Sequence, residues 1–243
     1  MNLLLEKETL LDCLLYGKLT VDGQFMWGSN YTFLCKIEKD DCDLTAVYKP
    51  VSGELPLWDF PSQTLAGREV AAYLISEAAG WHFVPPTVYR EDGPAGAGSV
   101  QLFIDHDPQL HYFNFTPQQR KRLRPVVLFD AIINNTDRKG GHILLDADNH
   151  LWLIDHGLCF HPEPKLRTVI WDYAGHQIRD EENQLIEYLR QQLMPGQALR
   201  KQLDPCLSSV DIKATITRME QLLENAVFPK PLQGRSSYPW PPV

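Results

Sequence analysis

A chain of 243 residues with 44% hydrophobic and 22% charged residues is long enough to bury a sizeable core, as one large domain or two small lobes. Its net charge of −8 excludes a general nucleic-acid binder, which needs a basic face to neutralise phosphates, but leaves room for a local basic pocket for a small anion. Five scattered cysteines without a C-x-x-C pair exclude a zinc ribbon or a disulfide framework, and no stretch nears the ~18 uninterrupted apolar residues of a membrane span, so a cytoplasmic protein is expected.

The leucine-rich start, residues 1–17, is interrupted by Glu6, Glu8 and Asp12, so it reads as an amphipathic helix and not as the uncharged core of a secretory signal. Residues 17–37 hold short apolar, aromatic and β-branched runs broken by Asp22-Gly23 and Gly28-Ser29-Asn30, which predicts strands. Residues 44–51 form a further strand that Pro50 should end. Residues 61–81 take helical spacing, with Ser62 or Thr64 as the cap, Leu65, Val70, Leu74 and Ile75 as the apolar stripe, and Gly80 as the stop. Residues 87–91 and 99–104 make a hairpin around residues 93–98 (GPAGAG). That glycine-rich run opens no helix, so it reads as a flexible turn and not as a phosphate cradle.

The second half is mainly helical. Thr116-Pro117-Gln118-Gln119 is a capping-box start with proline at the first helical position, and the helix should continue towards Ile133 with a kink at Pro125. Residues 143–155 (ILLDADNHLWLID) are a hairpin, with apolar runs on both sides of Asp146-Ala147-Asp148-Asn149. Further helices cover 180–194 and 210–226, and the proline-rich tail, residues 229–243, is extended and packed on the helical part. The order is a β-rich lobe over residues 1–104 and a helical lobe over 105–243, an α+β fold.

Asp137 is followed at the fifth position by His142, and Asp155-His156-Gly157 comes after the hairpin. A protein-kinase catalytic loop has an aspartate, four residues and a metal-binding asparagine, with a later D-x-G supplying another metal ligand. The spacing here matches, with His142 in place of the asparagine. Upstream, Ala46-Val47-Tyr48-Lys49 resembles the V-A-I-K strand whose lysine holds the α- and β-phosphates. Glu69 lies in the predicted helix where that lysine's salt-bridge partner belongs, with Glu54 and Glu77 as rivals. Phosphoryl transfer needs cations around the phosphates and an acceptor for the nucleophile's proton, with little covalent work for the protein. Lys49 and a divalent ion at His142 and Asp155 would supply the positive charge, and Asp137 would orient the attacking hydroxyl and receive its proton.

The run NTDR…H…IDHGLCF, between Asn134 and Phe160, resembles the phosphatidylinositol 3- and 4-kinase superfamily with its HipA-like and secretory-pathway relatives. It is most similar to small bacterial phosphatidylinositol-kinase-like proteins. In these families the arginine follows the catalytic aspartate, as Arg138 follows Asp137. The resemblance implies a bilobal, protein-kinase-like (atypical kinase) fold with a β-rich N-lobe, a helical C-lobe and ATP in the cleft. It also implies phosphoryl transfer to an alcohol group. Two features depart from the family pattern. Imidazole is a nitrogen ligand that must be neutral to bind, so His142 predicts Mn²⁺ in preference to Mg²⁺, with metal affinity falling below about pH 6.5. The chain is also far shorter than lipid kinases and shows no lipid-headgroup loop after Gly157, so the acceptor stays open among protein, small molecule and lipid.

Other residues carry two readings each. Ser29 and its neighbouring N–H groups either cover phosphate or sit in an ordinary hairpin turn, and Phe103 and Ile104 either line an adenine pocket through their backbone or pack in the core. Asp137 and Asp155 also suit plain turns. The run Arg120, Lys121, Arg122, Arg124 reads as a solvated helix face, whereas Lys165 and Arg167 are placed to hold an anionic substrate. Three rival functions remain. One is a nucleotide-binding pseudokinase or scaffold, which His142 keeps alive, and another is transfer of AMP on the same fold. The third is a metal phosphohydrolase using His106-Asp107, His111, His156 and His161, which the β-rich first half argues against.

Overall fold

The computed structural model describes residues 3–25, 30–231 and 236–243. Strands β1 (Lys18–Gln24), β2 (Phe33–Lys39), β3 (Cys42–Pro50), β4 (Thr87–Gly93) and β5 (Gly96–Leu102) form one antiparallel sheet in the order β1-β2-β3-β5-β4. Alternation along β3 decides what each face does. Ala46 and Tyr48 enter a core with Cys35, Ile37, Val88 and Val100, covered by Leu14 of helix α1 (Leu3–Tyr16). Val47 and Lys49 point the other way, into a cleft. Asp22-Gly23 does not break the first strand but is absorbed in β1 as a register shift between Val21 and Gly23. Pro50 closes β3 as expected.

Helix α2 (Leu65–Ala78) connects the sheet to the rest of the molecule, through Ala71, Ala72 and Ile75 in the larger core. Neither Ser62 nor Thr64 caps it. The Thr64 hydroxyl donates to Pro61 O at 2.8 Å, and the helix-start amide of Ala66 is satisfied by Glu54 Oε1 at 3.0 Å. A distant carboxylate thus replaces the local cap, and it suits the positive end of the helix.

The capping box at Thr116 and Gln119 forms, but the expected kinked helix is two helices, α3 (Pro117–Lys121) and α4 (Arg124–Ile133). Pro125 has no N–H to continue the ladder from α3, so it begins a new helix in its first turn. Helix α4 is the axis of the second core: Val126, Leu128, Phe129, Ile132 and Ile133 are all buried. Around it lie the hairpin β6 (Ile143–Leu145) and β7 (Leu151–Leu153), then α5 (Asp180–Gln192), α6 (Ala198–Leu203) and α7 (Ser209–Asn225). Arg124 departs from the solvated face expected of its basic run. It is buried, holds Glu182 through Nε at 2.7 Å and Nη2 at 2.8 Å, and lies 4.8 Å from the Phe228 ring centroid. Burial next to an aromatic ring is tolerated because the paired carboxylate compensates the charge. Among the described residues no helix is long and apolar enough to cross a membrane.

At Gly67 helix α2 packs tightly on the helical half, since a Cβ there would lie 2.7 Å from Cys206 O. Alanine within a helix is ordinarily worth about 1 kcal/mol over glycine. Here the clash with backbone reverses the sign, and Gly67→Ala is expected to lower stability by about 1–3 kcal/mol, seen as a lower urea midpoint. An equal or higher midpoint would show that α2 and the turn at Cys206 separate freely.

Candidate active site

Lys49 Nζ forms ion pairs with Glu69 and, at 2.9 Å, with Asp155 Oδ1. Burial opposes the lysine's charge, but the two carboxylates outweigh it and raise its pKa, so Lys49 is a fixed cation. The rival glutamates are engaged elsewhere: Glu54 on the start of α2, and Glu77 with Lys7 and His82. Glu69 is buried, and its second oxygen accepts the His156 N–H at 2.8 Å, which ties α2 to the D-x-G segment. Asp155 occupies the left-handed region at φ +62°, a conformation more common at functional sites than elsewhere in non-glycine residues. The Lys49 charge holds its carboxyl well below the usual range although burial opposes this.

The loop after α4 begins at Asn134, itself left-handed at φ +51°. Asn135 Oδ1 accepts the Asp137 N–H at 2.9 Å, an Asx turn, so the turn reading of this run holds for the backbone while the Asp137 side chain lines the cleft. Arg138, fully buried, ties the loop to its surroundings. Its Nε and Nη2 grip Asp130 of α4 at 3.0 and 2.9 Å, its Nη1 donates to Ile154 O at 3.1 Å and His142 O at 3.3 Å, and its Nη2 reaches His156 Nε2 at 2.8 Å. Because guanidinium only donates, His156 Nε2 must accept, which places its proton on Nδ1, 3.9 Å from Glu69 Oε2.

The same reasoning fixes His142. Its Nδ1 lies 3.1 Å from the Asp137 carbonyl, which can only accept, so the proton is on Nδ1 and the Nε2 lone pair faces Asp155 Oδ2 at 3.4 Å. Burial lowers the His142 pKa to about 4 against the pull of Asp155, so protonation sits well below the reference value that the sequence suggested. A neutral nitrogen and an ionised oxygen side by side, with no proton between them, are a donor pair suited to a cation. Among the described residues no three His, Cys, Asp or Glu side chains are grouped to hold a metal, so further ligands would have to be water or substrate oxygens. Asp137 is partly buried, which raises its pKa to about 6, with Asp155 adding to the rise and Lys139 and Arg167 opposing it.

These groups line a cleft of about 340 Å³, whose apolar lining comes from Val47, Leu102, Phe103, Ile104, Leu144 and Ile154. Phe103 and Ile104 already use part of their backbone: Phe103 N–H donates to Thr45 O at 2.9 Å, and Ile104 O lies 2.8 Å from His106 Nδ1. Ser29 lies outside the described residues. Lys165, expected to be available to an anion, is paired with Asp59 at 2.8 Å, whereas the Arg167 side chain is exposed. The histidines of the phosphohydrolase reading do not converge. His156 is held by Arg138, His161 by Asp59 O at 2.8 Å, His106 by Ile104, and His111 packs beside Phe113. Two participants escape a reading by motif. Lys139 Nζ is 3.4 Å from Asp137 Oδ2 and lines the cleft, and Asp130 anchors Arg138. A carboxylate inside the apolar run VVLFDAII was the available signal for Asp130.

A profile of the family "Phosphatidylinositol 3- and 4-kinase" matches residues 63–195. Protein Rv2133c of Mycobacterium tuberculosis is 41% identical over 260 residues, covering 93% of this chain and 92% of that protein. Among solved structures, hydra Fam20 with sugar superposes with a TM-score of 0.60 at 13% identity, covering 91% of this chain and 88% of that one. The Golgi casein kinase with Mn/ADP bound gives 0.52 at 16% identity, covering 98% and 80%. At such identities the likeness concerns the fold, and it bears out the bilobal, kinase-like α+β architecture.

Asp130→Ala leaves the Arg138 charge buried and without its main partner. It is expected to cost about 3–5 kcal/mol, measured by urea unfolding. A loss of under about 1 kcal/mol, the scale of a surface ion pair, would mean that water or a neighbouring group replaces Asp130.

Proposed function

This chain belongs to the phosphatidylinositol 3- and 4-kinase family, and we propose that it is an ATP-dependent phosphotransferase that uses a divalent cation and a hydroxyl acceptor. The observation that supports this most is the meeting of Lys49, Glu69, Asp137, His142 and Asp155, from separate stretches of the chain, around one cleft. In this reading Lys49, steadied by Glu69, holds the α- and β-phosphates, and Phe103 and Ile104 border the adenine. His142 and Asp155 would hold the cation, which when bound neutralises charge on the phosphate oxygens. The Golgi casein kinase bound to Mn/ADP supports a metal–nucleotide pair here, and the imidazole nitrogen favours Mn²⁺ over Mg²⁺.

Asp137 is the proposed base. A pKa of about 6 leaves it ionised at neutral pH yet basic enough to accept the proton of an attacking hydroxyl. Lys139 beside it adds positive charge where the phosphoryl group would pass. These residues recognise the proton and the phosphate, so they leave the class of hydroxyl acceptor open.

The test is to incubate the protein with Mn²⁺ and ATP labelled at the γ- or the α-phosphate, offering proteins, small alcohols and phosphoinositide vesicles as acceptors. Transfer of the γ-label alone supports the proposal. Transfer of the α-label would make the protein an AMP transferase, and nucleotide binding without any transfer would make it a binding scaffold. Asp137→Asn is expected to lower kcat by about 10²–10⁴-fold with nucleotide affinity little changed. In the wild type, kcat/KM should rise with pH through about 6 as Asp137 loses its proton, and level off above. A profile flat from acid to neutral pH would remove Asp137 as the base.

A further inference from the structure

The tail residues 236–243 lie against the loop that carries Asp137 and His142. The Pro242 carbonyl accepts the Gly140 N–H at 2.8 Å. Gly140 is also closely packed between Phe113 and the tail: an added Cβ would lie 3.0 Å from Phe113 Cε2 and 3.4 Å from Pro242 O. Nearer the start of the tail, the buried Ser237 offers one carbonyl to two donors, the Thr168 N–H at 3.1 Å and the Trp171 Nε1–H at 3.2 Å. Thr168 is in turn bridged to Arg138: Arg138 N–H donates to Arg167 O at 3.0 Å, and Val169 N–H to Arg138 O at 3.1 Å. Three backbone segments are therefore laced side by side, the catalytic loop, the stretch 167–171 and the tail.

Gly140 opens the 3-10 turn Gly140–His142, which follows the proposed base and ends on the proposed metal ligand. The residue is buried and its N–H has no helical partner, and such a donor either finds an acceptor or pulls the turn toward water. The tail supplies that acceptor through its main chain. Burial of its large side chains is not its contribution, since Trp240 is 87% exposed and Tyr238 54%.

We infer that residues 236–243 form a positioning strap, whose Pro242 and Ser237 carbonyls hold the catalytic loop so that Asp137 and His142 face the cleft. This rests on the roles proposed for those two residues in phosphoryl transfer. The strap touches no reacting atom and acts through the backbone of Gly140 and Thr168.

Two variants test it. One ends the chain after Trp240, which removes Pro242 O and keeps Ser237. The other, Trp171→Phe, takes one donor from Ser237 O and leaves the catalytic loop untouched. The readouts are amide hydrogen exchange over residues 134–142, ATP affinity with Mn²⁺, and kcat. The shortened chain should exchange about tenfold faster or more over 134–142 with sheet amides unchanged. Its kcat should fall by roughly 10–100-fold, as for a slightly misaimed catalytic group, with ATP affinity within about twofold. Trp171→Phe should move exchange and kcat the same way by a smaller factor. Unchanged exchange and kcat in both variants would overturn the inference. Should the shortened chain unfold as a whole, Trp171→Phe decides, and unchanged exchange over 134–142 overturns it. The exchange readout needs no turnover, so a wild type that transfers nothing would sink the proposed function while the strap is still judged.

Discussion

The buried pair of Arg138 and Asp130 is the constraint on which the rest of the site depends. A guanidinium without solvent must have its charge compensated and its donors satisfied, and Arg138 does both with groups from three segments: Asp130 in α4, the carbonyl of His142, and the stretch after β7, through the Ile154 carbonyl and the His156 imidazole. Each bond fixes a piece of the cleft floor relative to the central helix. His156 carries the constraint onward, because its N–H is held by Glu69, whose other oxygen meets Lys49. The chain from Asp130 through Arg138, His156 and Glu69 to Lys49 thus runs from the helical half into the sheet. Its members hold one another across stretches distant in sequence, and rigidity at the cleft comes from that.

The charges placed by this network divide the labour in the cleft. Lys49 lies between two carboxylates and stays charged, while Asp155 is kept ionised by the lysine. His142 is kept neutral by burial, and its proton is spent on the Asp137 carbonyl, so the lone pair is turned toward Asp155. Asp137, desolvated and flanked by Asp155, is pushed the other way, to about 6. Two neighbouring aspartates with oppositely shifted acidities suit different tasks, one as a permanent anion and one as a proton acceptor. Substituting histidine for the usual asparagine is compatible with this scheme because the imidazole is held in a single tautomer and is not left to titrate near neutrality.

Much of this was legible in the sequence where the physics is local. Period-two alternation in AVYK put Lys49 on the face opposite Tyr48, the capping box at Thr116 formed, and the spacing of Asp137, His142 and Asp155 survived because a short hairpin brings its two ends together. What escaped was decided by partners distant in sequence. Arg124 looked like part of a solvated face and is buried, because Glu182 and Phe228 come to meet it. The start of α2 looked self-capped and is capped by Glu54. Lys165 looked free for an anion and is paired with Asp59. The histidine's acidity, too, depends on burial that no motif encodes.

The measurement that bears most directly on the central claim is ATP binding by calorimetry, with Mn²⁺ and then with Mg²⁺, on the wild type and on Asp155→Ala. The account predicts binding that requires the metal, is tighter with Mn²⁺, and is lost in the variant while its thermal unfolding remains cooperative. Wild-type protein that binds no nucleotide with either metal, or a variant that binds as well as the wild type, would contradict it.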